Sequence, residues 1–132
     1  MRRTLQLLLA GAGLMLATVP MVAHHSFSAE FDANSPINVT GVVTKVEWMN
    51  PHVWFYVDVK DTSASVNWGM EMGSPNGLLR NGWTRNSMKV GDTVTVEGSR
   101  ARDGSKNANA RAVTLASTGK RLFAASSQGQ TP

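Results

Sequence analysis

With 132 residues, 13 basic and 9 acidic side chains and no cysteine, the chain has material for one small core. It cannot use structural disulfides or a cysteine-linked lipid anchor, so packing alone must hold it. Arg2 and Arg3 belong to a signal-like start, and without them 11 basic side chains face 9 acidic ones, too even a balance for the footprint of a nucleic-acid binder.

In chain order, the charged Arg2-Arg3 start, the uncharged apolar run from Thr4 to Val19 and the small residue Ala23 have the layout of a secretory signal peptide over residues 1–23. Met21, third before the cut, is larger than usual there. Cleavage after Ala23 leaves 109 residues starting at His24, periplasmic or secreted and without a membrane span. The alternative, a retained anchor, rests on the twenty uncharged residues Thr4–Ala23, and Gly11, Gly13 and Pro20 argue against it.

Residues 24–38 read as a polar N-terminal arm with Phe27 and Phe31 as anchors. A β domain follows over residues 39–123. Val42, Thr44, Val46 and Trp48 fall on one face of its first strand, and Val43, Lys45 and Glu47 on the other. Pro51 interrupts the ladder. Val53, Phe55, Val57 and Val59 then alternate with Trp54, Tyr56, Asp58 and Lys60, and Val66, Trp68, Met70 and Met72 alternate with Asn67, Gly69 and Glu71, which predicts a hairpin. Ser74-Pro75 marks the start of a short helix, serine as N-cap and proline at the first position. Val90-Gly91-Asp92 turns into a strand over Thr93–Ser99. Arg102-Asp103-Gly104-Ser105 is a further hairpin turn, and a last strand runs from about Ala108 to Ala116. Residues 124–132 read as a disordered tail.

These elements predict an all-β protein with one short helix, a five-stranded OB-fold-like barrel with the helix between strands three and four. Val53, Phe55, Val57, Trp68, Val94 and Val96 are its expected core. The mature start His24-His25-Ser26-Phe27-Ser28-Ala29-Glu30-Phe31-Asp32, with Gly41-Val42-Val43 and Trp48-Met49-Asn50-Pro51-His52, resembles a family of small exported bacterial proteins known only as a domain of unknown function. The resemblance covers about residues 24 to 120 and implies an exported OB-like domain without an assigned activity.

Three histidines carry the one constellation that suggests specific chemistry. His24, at a cleaved N-terminus, offers an amine and an imidazole together; His25 adds a second ring, and His52 closes the set if the arm folds back. Imidazole is the commonest protein ligand for late first-row metals, and copper(II) favours such nitrogen donors. The bland reading is a polar terminus that binds metal as any exposed histidine pair does. Met49, Met70 and Met72 are thioethers suited to copper(I), although the alternation puts the last two in the core. Trp54 and Tyr56, on the outer face of their strand, are candidates for stacking a ligand, or else for packing under Phe27 and Phe31. Asp58, Asp61 and Glu71 read as solvated carboxylates.

No nucleophile with an ordered base is visible, so the chain reads as a binding protein rather than an enzyme. A copper oxidase using an N-terminal histidine is the exception, and 109 residues are a small platform for one. The leading expectation is an exported binding protein that holds copper or another divalent metal through His24, His25 and His52. The alternative is an OB-fold module that takes an oligosaccharide, a small molecule or a protein partner on Trp54 and Tyr56.

Overall fold

Alternation of apolar and polar residues dominates the architecture of the computed structural model, which describes residues 27–126. A helical turn over residues 27–30 leads into β1 (Phe31–Glu47), followed by β2 (Trp54–Lys60), β3 (Ser65–Glu71), helix α1 (Pro75–Arg80), β4 (Thr93–Ala101), β5 (Asn107–Leu115) and β6 (Arg121–Phe123). The sheet order is β3-β2-β1-β4-β5-β6, and a parallel β3–β5 pairing closes β1 to β5 into a ring of five strands. This is the expected all-β fold, with α1 between the third and fourth strands as anticipated.

One long strand joins both halves of the ring. The 17-residue β1 pairs with β4 through Phe31–Val42 and with β2 through Gly41–Glu47. Gly41 lies in both registers, opposite Val59 and Val94, and a Cβ there would collide with the Asp58 carbonyl. The crossing therefore requires a residue without a side chain.

β1 also departs from expectation. It begins at Phe31, eight residues before the predicted strand. Its register is interrupted between Asp32 and Pro36, where proline has no N–H to donate. A second irregularity between Val43 and Lys45 changes the phase of the pleat. Val43 points inward at 1% exposure while Val42 is 43% exposed, so the face assigned to Val42, Thr44, Val46 and Trp48 is not continuous. An extra residue at a bulge produces such a switch, which uniform alternation cannot anticipate.

The core matches the prediction elsewhere. Val53, Phe55, Val57, Trp68, Val94 and Val96 are all buried, together with Met70, Met72, Leu78 and Trp83. Ser74 caps α1, its Oγ accepting the Gly77 N–H at 3.1 Å, and so delivers Leu78 to the core. Trp83 is buried and donates from Nε1 to the Phe123 carbonyl at 2.9 Å. β6 was not anticipated; it pairs with β5 and buries Leu122. Ala124 and Ser126, read from sequence as part of a disordered tail, are buried as well, and Gly73 N donates to the Ala124 carbonyl at 2.9 Å. Residues 127–132 lie outside the described residues.

Candidate functional site

The connector between β1 and β2 sets the site. Val53 donates to the Gly73 carbonyl at 3.0 Å and accepts from Met72 N at 2.8 Å, so the β2–β3 ladder continues one step beyond the strand. With Val53 and Phe55 turned into the core, His52 and Trp54 share the opposite side by the period of two. Trp54 is paired with Glu71 across the hairpin, which brings the Glu71 carboxylate within reach of His52.

His52 Nδ1 and Glu71 Oε1 are 2.8 Å apart. The imidazole is half-exposed, and the carboxylate is 8% exposed as a residue. On the other side, β3 meets β5 in parallel with Glu71 opposite Asn109. Asn109 is buried, its Nδ2 donates to the same Oε1 at 3.3 Å, and its Oδ1 has no protein partner. Burial pushes the Glu71 carboxyl above its ordinary value, the nearby Glu30 charge adds to this, and the His52 and Asn109 hydrogen bonds oppose it. With Glu71 ionised, Nδ1–H donates to it and the Nε2 lone pair is left for a second partner. A carboxylate that orients a histidine in this way is the usual support for a metal-ligating or proton-accepting imidazole.

His52 and Glu71 line a cleft of about 350 Å³, with Asn109 buried behind the carboxylate. Phe27 and Phe31, with ring centroids 5.7 Å apart, form one wall, and Met49 and Trp54 contribute to the rest. The arm's two phenylalanines thus stand against the ring where His52 is held.

The sequence-predicted residues divide. His52 and Trp54 are in the cleft. Tyr56 is not brought to it; its hydroxyl donates to Glu47 Oε2 at 3.2 Å, and Lys45 Nζ lies 5.4 Å from its ring centroid. Met70 and Met72 are core residues, whereas Met49 is 51% exposed at the cleft. His24 and His25 lie outside the described residues. Among the described residues no three His, Cys, Asp or Glu side chains gather as a metal site.

Glu71 is the principal residue that sequence reasoning misses, and its reading as a solvated carboxylate is corrected here. Alternation places it on the outer face of β3, and on a two-stranded ribbon it would be wet. The β3–β5 closure sets it beside the buried Asn109, and Phe27 and Glu30 of the helical turn line the same cleft. Its sequence signal is the hairpin register, which sets it opposite Trp54 and hence two residues from the position facing His52.

Fold and cleft together define a small all-β protein whose closed five-strand ring carries a histidine–carboxylate pair at a half-aromatic cleft. The chain belongs to DUF6152, described as a family of unknown function, which matches residues 12–110. None of the curated proteins searched matches this chain. Among the described residues no helix is long and apolar enough to cross a membrane.

Proposed function

We propose that this is an exported binding protein that holds a divalent late first-row metal, copper(II) foremost, at the cleft through His52 Nε2 and the N-terminal histidines His24 and His25. The observation that carries the reading is the 2.8 Å contact between His52 Nδ1 and the buried Glu71 carboxylate. It supplies the orientation, tautomer and basicity that a metal-bound imidazole needs. The position of Phe27 supports the rest. It lines the same cleft, and His25 precedes it by two residues, a Cα reach of at most about 7 Å. With cleavage after Ala23, the His24 amine and imidazole bring two more nitrogen donors, a set suited to copper(II).

Trp54 supports a second reading, capture of a small apolar or aromatic ligand in the cleft. Tyr56 is engaged with Glu47 and Lys45, which weakens the stacking surface that both rings would have made.

Calorimetric titration of the mature protein with copper(II) tests the first reading. His52→Ala is expected to weaken affinity about tenfold or more, corresponding to at least ~1.4 kcal/mol. Extending the chain by one residue before His24 is expected to weaken it too, since the amine leaves its chelate. Binding should fall with pH as protons compete for the same nitrogens. Equal affinity in wild type and His52→Ala would reduce the site to a terminal histidine pair.

A further inference from the structure

The cleft beside Glu71 is acidic and aromatic at once. Among the described residues that line it, Phe27, Phe31 and Trp54 supply rings, Met49 a thioether, and Glu30 and Glu71 carboxylates, with no lysine or arginine. Burial raises the Glu71 carboxyl most and the Glu30 charge raises it further, against the His52 and Asn109 hydrogen bonds, so the two carboxylates are felt in one volume. Basic side chains of the adjoining segments are engaged elsewhere. Arg102 Nε donates to the Ser28 carbonyl at 2.7 Å, and Arg85 Nη2 donates to the Trp48 carbonyl at 3.3 Å. Among the described residues no lysine or arginine forms an ion pair with Glu30 or Glu71. The cleft is therefore short of positive charge.

A small metal ion answers such a deficit only where donors converge, and among the described residues Glu30, His52 and Glu71 do not gather as a metal site. Charge spread among rings suits a bulky, weakly hydrated organic cation, because a methylated ammonium packs its methyl groups on π faces that also attract its charge, tryptophan most strongly. Phe27 and Trp54 are each only partly buried, which leaves ring surface for that contact. The volume, about 350 Å³, is at the small end of ligand pockets. We infer that the cleft binds a small methylated ammonium cation of the choline kind, with Trp54 and Phe27 against its methyl groups and Glu30 and Glu71 supplying the opposite charge. This deepens the second reading above, capture of a small ligand beside Trp54, and rests on it; it does not require the metal.

Calorimetric titration of the metal-free mature protein compares choline, the neutral alcohol in which a quaternary carbon replaces the nitrogen, and phosphorylcholine. Choline and the alcohol share a shape and differ in charge. Choline is expected to bind about tenfold more tightly, the scale of a desolvated cation–π contact. Trp54→Leu keeps apolar bulk without the π face, so it should weaken choline about tenfold and leave the alcohol within about twofold. Glu30→Gln should weaken choline about threefold, the scale of an exposed charge. Asp103→Asn, at a neighbouring cleft but not this one, should match wild type. Phosphorylcholine should bind more weakly than choline, since the carboxylates repel its phosphate; this separates a free cation from a lipid headgroup. Equal affinity for choline and the alcohol overturns the inference and leaves capture of an apolar ligand standing. Binding of neither overturns both. Phosphorylcholine as tight as choline contradicts the charge of the cleft and overturns the inference, and so does choline affinity unchanged in both Trp54→Leu and Glu30→Gln.

Discussion

The interior of the ring and the cleft on its outer side are built from the same two strands and obey different rules. Inside, β2 and β3 present Val53, Phe55, Val57, Trp68 and Met70, all apolar and all buried. Each contributes by leaving water, and neighbours of similar shape could replace it at modest cost. Outside, the alternate positions His52, Trp54 and Glu71 form a cleft in which a carboxylate is buried against an imidazole and an asparagine. Burying a charge is unfavourable unless it is well paired. The cleft therefore costs stability that the interior supplies, an arrangement expected of a site and not of packing.

Substitutions in the two regions should differ accordingly. The largest effect belongs to the interior: Phe55→Ala is expected to cost about 3–5 kcal/mol in chemical denaturation, because the ring is fully buried. A loss far below 1 kcal/mol would mean that the β2 faces are reversed. Next comes the close approach of β4 to β5. A Cβ at Gly98 would run into the Asn109 carbonyl, so Gly98→Ala should cost about 1–3 kcal/mol through a forced backbone shift. Because Asn109 also donates to Glu71, the same change is expected to disturb the cleft.

The cleft itself should show a small effect of distinctive sign. The Glu71 carboxyl sits above its ordinary value in the folded chain, chiefly through burial. The folded state thus holds its proton more tightly than the unfolded state does. Glu71's own contribution to stability must then fall as pH rises from its unfolded value through its raised folded value, the opposite of an ordinary paired carboxylate. Glu71→Gln removes that decline, so denaturation from pH 4 to 7 should show the variant gaining on wild type as pH rises. A difference independent of pH would remove the case for a strained carboxylate.

Periodicity made the interior legible, since β-strand alternation is local and each expected core residue is buried. It failed where the chain departs from uniform pleating. The bulge between Val43 and Lys45 and the break between Asp32 and Pro36 each add residues that no alternation counts. β6 is three residues long, too short for a pattern to register. The cleft was half legible: His52 and Trp54 stood out by residue type, but the burial of Glu71 depends on β3 meeting β5 about forty residues later in the chain. Such pairings depend on closure of the ring, which no window of sequence contains.

The central claim is that His52 binds metal through Nε2 while Glu71 holds Nδ1. Electron spin echo modulation from copper(II) bound to the mature protein tests it most directly, because the modulation comes from the remote nitrogen of each coordinated imidazole. His52→Ala is expected to reduce the modulation by one imidazole's share, and Glu71→Gln to alter the signal of that remote nitrogen while retaining it. Modulation identical in wild type and both variants would place the copper on the terminal histidines alone and contradict the account.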